Sequence, residues 1–191
     1  YVFSRTKNIE NTPNRPEEII ISFENGDPRK INEETLSSYE ILKKLNYFGY
    51  KHGIGRVDIV ENRYIGMKSR GVYETPGGTI LYYAHRAIES ITLDRETAHK
   101  KDMIASEYAE LVYNGFWFSK KRKQLQEIVD TCRSSVNGDV KLKLFKGNVI
   151  VLGRKSENSL YDLSKVSFEN NEVKDQQFAE EFIKSQFKKI N

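Results

Sequence analysis

Cysteine and histidine are scarce in this sequence, and their scarcity argues against the zinc sites that these residues build. The 191 residues include one cysteine, Cys132, so no disulfide can form within the chain and no thiolate cluster can bind zinc. The three histidines are far apart, and none belongs to a His-Glu-x-x-His motif. We therefore predict no metal site in these residues. A lone cysteine is also typical of a reducing compartment, so we expect a cytoplasmic protein.

Long apolar runs and phosphate-binding motifs are missing as well. No stretch approaches the ~18 apolar residues that a membrane-spanning helix needs, so we predict no membrane association. The sequence has neither Gly-x-x-x-x-Gly-Lys-Ser/Thr nor Gly-x-Gly-x-x-Gly, the loops that hold nucleotide phosphates. It also lacks the nucleophile elbow Gly-x-Ser-x-Gly. A covalent mechanism has no support, and we predict no catalytic residue in this chain.

The excess of positive charge is small. Lys and Arg total 31 against 27 Asp and Glu, a formal net charge of +4, and opposite charges are interleaved along most of the chain. Proteins that bind nucleic acids usually concentrate their basic residues in one patch. The densest cluster, Lys120–Lys123, is better explained as the solvated first turn of a helix. We predict no nucleic-acid partner, and a small basic nucleic-acid-binding domain remains an alternative function.

The first quarter of the chain predicts a hairpin followed by a helix. Residues 1–16 contain Asn and Pro without apolar periodicity, which is typical of a linker. Alternating apolar residues from Glu17 onward predict a strand, and Asn25-Gly26 predicts a tight turn into a short return strand. Asn32 is expected to cap a helix that ends at Gly49.

The middle of the chain predicts two short strands and then three helices. The strands are expected at Arg56–Val60 and Arg63–Lys68. Thr75-Pro76 has the residue types of an N-cap and a first helical position. A second helix is expected to begin near Asp94, and Ser119 is expected to cap a third.

The remaining segments predict core elements and a second hairpin. The aromatic run Phe116–Phe118 predicts a core strand or plug, and its alternative is a platform on which a base stacks. Cys132 continues an apolar stripe and is expected to be a buried small residue. Residues 140–152 predict a hairpin, residues 166–168 a short strand, and residues 175–187 a last helix with one apolar face.

The predicted order of elements indicates the fold class. A hairpin, a helix, two strands, three helices, a second hairpin and a last helix are typical of an α+β fold. We expect a mainly antiparallel sheet with packed helices and a C-terminal helix. The predicted divisions are a linker at residues 1–16, a main domain at 17–170 and a C-terminal helix or arm at 171–191.

A glycine-rich and strongly polar stretch, Gly53–Thr79, is the best candidate for a binding site. It holds six of the twelve glycines together with many ionisable side chains, and such loops often carry function. The carboxylate of Glu61 suits an ammonium group, and the hydroxyl of Tyr73 can orient a carboxylate, an amine or a ureido group. The alternatives are that Glu61 pairs with a neighbouring arginine, Arg63 or Arg56, and that Tyr73 only packs.

Several segments of the chain resemble argininosuccinate synthases, in order and nearly without gaps from about residue 17 to 183. The most specific are Gly-Ile-Gly-Arg-Val-Asp-Ile-Val-Glu-Asn-Arg at 53–63, Gly-Met-Lys-Ser-Arg-Gly-Val-Tyr-Glu-Thr-Pro-Gly-Gly-Thr at 66–79, Ala-Glu-Leu-Val-Tyr-Asn-Gly-Phe-Trp at 109–117, Lys-Leu-Phe-Lys-Gly-Asn-Val at 143–149, and Leu-Gly-Arg-Lys-Ser-Glu-Asn-Ser-Leu-Tyr at 152–161. The chain is identified on these motifs as a member of that family.

The resemblance implies an activity and site residues. Argininosuccinate synthases are ligases of arginine biosynthesis and the urea cycle that join citrulline and aspartate with ATP, releasing AMP and pyrophosphate. In that family the ureido oxygen of citrulline is adenylated, and the aspartate amine then displaces AMP. The acid of Val-Glu-Asn-Arg and the tyrosine of Tyr-Glu-Thr-Pro contact citrulline, which implies these roles for Glu61 and Tyr73. Lys68 and Arg70 lie between them and are weaker candidates for supporting anionic groups.

One part of the family pattern is absent. The pyrophosphate loop Ser-Gly-Gly-x-Asp-Ser/Thr does not occur in these residues, so the resemblance implies that ATP, with Mg, is bound by an upstream nucleotide-binding domain not included here. Residues 1–16 would then be the linker from that domain and 17–170 the synthetase domain. The family's enzymes are homotetramers joined by a C-terminal arm, although the tail after Phe182 matches poorly. We expect the chain alone to be inactive. The alternative is a non-catalytic interaction or oligomerisation module of the same fold.

Overall fold

A computed structural model describes residues 2–161 and Glu180. The chain divides into two compact units, residues 1–160 and 161–191, and the elements described below belong to the first. The strand predicted at 166–168 lies outside the described residues. So does the helix predicted at 175–187, except for Glu180, which is helical.

The described residues form seven strands, four α-helices and two single 3-10 turns. The 3-10 turns are Ile9–Asn11 and Arg133–Ser135. In chain order the other elements are β1 Glu17–Glu24, β2 Asp27–Ile31, β3 Glu34–Thr35, α1 Ser38–His52, β4 Arg56–Asn62, β5 Lys68–Glu74, α2 Pro76–Thr92, α3 Arg95–Tyr113, α4 Lys120–Thr131, β6 Gly138–Phe145 and β7 Asn148–Lys155. The predicted α+β class with a mainly antiparallel sheet is confirmed.

The main sheet has five antiparallel strands in the order β3-β2-β1-β6-β7, and it carries the core. Its central strands β1 and β6 pair so that Ile19 lies opposite Leu142 and Ile21 opposite Val140. These four side chains are buried, because alternate residues of a strand point to the same face. Burying one such aliphatic side chain contributes about 1.5–3 kcal/mol. The sheet and the helices α1 and α2 therefore share one hydrophobic core.

Helix α1 begins later and ends later than the sequence predicts. Asn32 adopts a left-handed conformation with φ of 57° and closes a turn between β2 and β3, so it is not the N-cap. The actual cap is Ser37, whose hydroxyl and backbone exchange hydrogen bonds with Glu40 in a capping box. The helix continues through Gly49 and ends at Gly53, where a φ of 69° favours glycine.

The prediction that Phe116–Phe118 belongs to the core is wrong. These residues form the turn between α3 and α4, where Phe116, Trp117 and Phe118 are 43, 46 and 84% exposed. Trp117 is instead covered on one side by the guanidinium of Arg122, whose carbon lies 4.7 Å from the ring centre. The prediction for Cys132 is also imprecise, because this residue is half-buried at the end of α4 and packs against the edge of the core.

A buried carboxylate joins helix α2 to helix α3. Glu89 on α2 is only 4% exposed and accepts from Lys101 on α3 and from the ring of His85, whose Nδ1 lies 3.3 Å away. Arg86 lies at 3.5 Å and also binds Asp102. Burial alone would raise the pKa of Glu89, but the hydrogen bonds and charges of His85 and Lys101 outweigh it and lower the pKa to about 2.

We expect Glu89→Gln to lower the free energy of unfolding at neutral pH by about 2 kcal/mol. A pKa that is lower in the folded state stabilises the fold above pH ~4.5, and this stabilisation disappears as the pH falls toward 2. Urea titrations from pH 7 to pH 2.5 measure the free energy of unfolding of the original protein and of Glu89→Gln. The difference between these two free energies should become smaller below pH 4.5. Asp102→Asn, an exposed partner of Arg86, is the control and should change stability by less than ~0.5 kcal/mol. A constant difference across the pH range would contradict this account of Glu89.

Candidate functional site

The strands β4 and β5 form a separate two-stranded ribbon that carries both principal candidate residues. They pair antiparallel without a register shift, from Arg56 opposite Glu74 to Asn62 opposite Lys68. The prediction of a strand at Arg63–Lys68 is wrong. Residues 63–67 form the turn that connects β4 to β5, and β5 begins only at Lys68. The turn is closed by the backbone N–H of Arg63, which donates to the carbonyl of Met67 over 2.7 Å.

The ribbon places Glu61 and Tyr73 on the same face. Glu61 pairs with Ser69, and Tyr73 pairs with Val57 two pairs farther along that face. The Tyr73 side chain extends along the ribbon until its hydroxyl donates to Oε1 of Glu61 over 2.6 Å. The structure therefore brings these two residues together. Within the described part of the chain, Oε2 of Glu61 makes no direct hydrogen bond and no ion pair joins Glu61 to Arg63.

The Glu61–Tyr73 pair lies in an open groove of about 540 Å³. The groove is lined by Glu61, Arg63, Tyr64, Ile65, Met67, Tyr73 and Tyr113. The hydrogen bond to Glu61 raises the pKa of Tyr73, with burial and the negative charge of Glu61 acting in the same direction and Arg63 opposing them. At neutral pH the phenol is therefore a neutral donor beside a carboxylate, with a guanidinium nearby. This set of groups suits a zwitterionic ligand with an ammonium group.

Lys68 and Arg70 are on the other face of the ribbon. Residues 68, 70 and 72 alternate with 69, 71 and 73 along β5, so their side chains point away from the groove. Arg70 makes a two-point ion pair with Asp58, with distances of 2.8 and 2.6 Å, and this hydrogen bonding lowers the pKa of Asp58. The weaker candidates are thus not brought together with Glu61 and Tyr73.

Residues 4–6 anchor the base of the ribbon, a contact that the sequence reasoning missed. Glu74 accepts from the backbone N–H groups of Ser4 and Arg5 and from the hydroxyl of Thr6, at 2.6–3.0 Å. Arg56, opposite Glu74, donates to the hydroxyl of Thr6 over 2.7 Å. The division of the chain at residue 16 remains a prediction, but this part of the predicted linker fixes the end of the ribbon nearest the core.

Three further residues shape the groove, and the sequence reasoning did not select them for it. Arg63 donates its Nε to Ser69 over 2.8 Å, which holds its guanidinium at the groove wall. Tyr113 is the last residue of α3 and lies forty residues from Tyr73 in sequence, so no local pattern could predict its position in the groove. Gly71 lies beneath the Tyr73 ring. The only sequence signal for Gly71 was the general density of glycine in this region.

Two absences among the described residues bear on other kinds of site. In residues 2–161 no three His, Cys, Asp or Glu side chains are grouped so that they could bind a metal ion together. Among the described helices, none combines the length and the apolar character that crossing a membrane requires.

The chain is similar along nearly its whole length to one protein family. Residues 1–190 match the family model described as the arginosuccinate synthase C-terminal domain. Argininosuccinate synthase from a Nitratiruptor species is 60% identical over 179 residues, which covers 94% of this chain and 44% of the relative. Argininosuccinate synthase from Pelagibacter ubique is 55% identical over 183 residues, which covers 96% of this chain and 46% of that relative.

The length of the match is as informative as its identity. A third relative, argininosuccinate synthase from Zymomonas mobilis subsp. mobilis, is 58% identical over 185 residues and is covered to 45% of its length. The chain thus spans a little under half the length of these curated relatives. With a family model matching residues 1–190 and relatives at 55–60% identity, this chain belongs to the argininosuccinate synthase family, in the region of its C-terminal domain.

Proposed function

We propose that this chain is the substrate-binding part of an argininosuccinate synthase and that Glu61 and Tyr73 bind citrulline. The observation that carries the proposal is the 2.6 Å hydrogen bond between these two side chains at an open groove. Family membership supports the choice of ligand, because the relatives are named for the product of citrulline and aspartate. The proposed enzyme is a ligase of arginine biosynthesis, including the urea cycle where that operates.

The chemistry of the pair favours the amino-acid end of citrulline. Oε1 of Glu61 already accepts from Tyr73, and a carboxylate has further lone pairs at both oxygens. An ammonium group can therefore donate to Glu61 in a charge-assisted hydrogen bond without displacing Tyr73. The phenol oxygen of Tyr73 keeps its own lone pairs and can accept from the same group. Arg63 lines the same groove, and we propose that it supplies positive charge to the ligand's carboxylate.

The role of these residues is to hold a reactant, not to react with it. Fixing citrulline in one orientation converts an encounter of separate molecules into a reaction within one complex, which lowers the barrier through entropy. ATP supplies the activation of the ureido oxygen, and we propose that ATP and Mg are bound by an upstream nucleotide-binding domain of the longer protein. We also propose a cytoplasmic homotetramer, as the resemblance to the family implies.

The first test is the activity of the chain by itself. We expect no argininosuccinate when the purified 191-residue chain is incubated with ATP, citrulline and aspartate, because none of its motifs binds a nucleotide phosphate. Mass spectrometry of the reaction mixture measures the product. The control is the complete Nitratiruptor relative assayed in parallel, together with circular dichroism showing that the chain is folded. Product formed by the chain alone would contradict this part of the proposal.

A non-catalytic interaction module is the second candidate function, and one observation favours it. Tyr64 at the tip of the ribbon packs edge-on against Phe116 with ring centres 6.2 Å apart, beside the exposed Trp117 and Phe118. Exposed aromatic clusters of this kind often bind other proteins. Sedimentation at micromolar concentration tests this surface: assembly that Phe118→Ser abolishes would assign the aromatic cluster to an interface, and a monomer would argue against a module.

A further inference from the structure

The ring of Tyr73 reaches Glu61 by passing over Gly71. Gly71 lies between Ser69 and Tyr73 on the same face of the ribbon. A Cβ atom added to Gly71 would lie 2.5 Å from Cε2 and 2.7 Å from the hydroxyl oxygen of Tyr73. Non-bonded carbon atoms pack at about 3.5–4.0 Å. The ring therefore fills the volume that any side chain at position 71 would occupy.

We propose that Gly71 is a positioning residue of the amino-acid site. Because it has no side chain, the space above it stays open for the Tyr73 ring, which crosses this space to reach Glu61. This inference rests on the proposed function of Glu61 and Tyr73 as the citrulline-binding pair. Space is the reason for glycine here, since the φ of Gly71 lies outside the left-handed region. An alanine would fit the backbone of β5 without strain.

The clash involves the far end of a movable side chain, and this determines the expected effect. The Tyr73 side chain is part of an open groove and the residue is 42% exposed, so the ring can swing toward solvent. Gly71→Ala should therefore break the hydrogen bond to Glu61 while leaving the ribbon paired. A residue that is merely structural would show the opposite pattern, a loss of stability with the hydrogen bond intact.

The titration of Tyr73 reports this hydrogen bond directly. Its pKa is raised by donation to Glu61, by burial and by the nearby Glu61 and Tyr113, while Arg63 opposes the shift. NMR of the chain labelled at tyrosine Cζ gives the midpoint, and Tyr73→Phe assigns the resonance. We expect Gly71→Ala to return the midpoint toward the ordinary value, and we expect the same of Glu61→Gln. Gly153→Ala is the matched control, because Gly153 is also a strand glycine and no atom lies within 4 Å of its added Cβ.

Citrulline binding in the complete enzyme supplies the second readout. We expect Gly71→Ala to weaken citrulline binding about tenfold, the usual effect of losing one well-placed hydrogen bond, with ATP binding unchanged. In a Tyr73→Ala background the ring is gone, so Gly71→Ala should add no further loss. Calorimetric titration of the single and double variants measures this coupling.

The outcomes separate this inference from the proposed function. A Tyr73 midpoint that Gly71→Ala leaves unchanged, or that Glu61→Gln leaves unchanged, overturns the positioning role. If Gly71→Ala does not fold but the double variant with Tyr73→Ala does, the ring is the cause and the role is supported; if neither folds, it is overturned. A shifted midpoint with citrulline binding unaffected in Gly71→Ala, Tyr73→Phe and Glu61→Gln would leave the positioning of Tyr73 intact and refute citrulline as the ligand.

Discussion

Replacing Glu61 by glutamine in the complete enzyme is expected to weaken citrulline binding by about tenfold to a hundredfold. A hydrogen bond to a charged group contributes about 1.5–3 kcal/mol, and the substitution removes the charge while keeping the size of the side chain. ATP binding should change by less than about twofold, because the nucleotide is proposed to bind elsewhere in the protein. Isothermal titration with each ligand measures both affinities.

The ribbon offers a matched control for this substitution. Asp58 is also a carboxylate on β4, but it pairs with Arg70 on the opposite face. Asp58→Asn should therefore leave citrulline binding nearly unchanged. Equal losses of citrulline and ATP affinity in Glu61→Gln would mean that Glu61 supports the fold of the enzyme, as the pairing alternative holds. Equal losses in Asp58→Asn and Glu61→Gln would mean that only the charge of the ribbon matters.

Replacing Gly49 by alanine is expected to produce the largest loss of stability, about 3 kcal/mol, because the new methyl group would be forced into a neighbouring backbone. Gly49 lies in α1 where that helix crosses the start of α2. Its added Cβ would lie 2.9 Å from the backbone Cα and carbonyl carbon of Pro76. Helices, unlike the end of a tyrosine ring, cannot swing aside. A loss of this size should lower the melting temperature by about 10 °C, measured by calorimetry.

Gly78→Ala is the control for this second prediction. Gly78 is also in α2, but the nearest atom to its added Cβ is 3.9 Å away, on Thr75. Alanine is the better helix former, so this variant should be as stable as the original or more stable. A Gly49→Ala protein that melts at the original temperature would show that the two helices are not in close contact. Destabilisation of Gly78→Ala to the same extent would show that the start of α2 is sensitive for another reason.

The same helix crossing connects the core to the site. Pro76 follows β5 after one residue, Thr75, whose N–H donates to the carbonyl of Gly55 over 2.8 Å. At the crossing, the side-chain oxygen of Asn46 accepts from the N–H of Gly77 over 2.9 Å. The base of the ribbon is thus fixed to the core formed by the main sheet, α1 and α2.

The parts of the fold with local signals could be predicted from the sequence. Alternating apolar residues and the turn residues Asn25-Gly26 identify the first hairpin, because both signals come from neighbouring residues. The predicted start of a helix near Asp94 and the predicted cap at Ser119 are confirmed for the same reason, and Asp94 is itself the N-cap of α3. The prediction that Glu61 and Tyr73 act together rests on the family resemblance. The two residues are twelve apart in sequence, and no local pattern determines the register of β4 and β5 that places them on one face.

The errors fall where distant contacts decide the structure. Tyr64 and Ile65 have strand-forming side chains, but the seven residues of each strand pair up to Asn62 and Lys68, so Tyr64 and Ile65 lie in the turn. Asn32 is a good helix cap in isolation, yet pairing of β2 with β3 requires a turn there. The exposure of Phe116–Phe118 depends on what α3 and α4 pack against, which no local pattern contains.

A crystal structure of the complete enzyme with citrulline bound would show whether Glu61 and Tyr73 hold this substrate. We expect the amino group of citrulline within about 3.2 Å of a Glu61 carboxylate oxygen, with the hydroxyl of Tyr73 in contact with the ligand. Citrulline bound in another part of the enzyme, with Glu61 and Tyr73 still hydrogen-bonded only to each other, would contradict it.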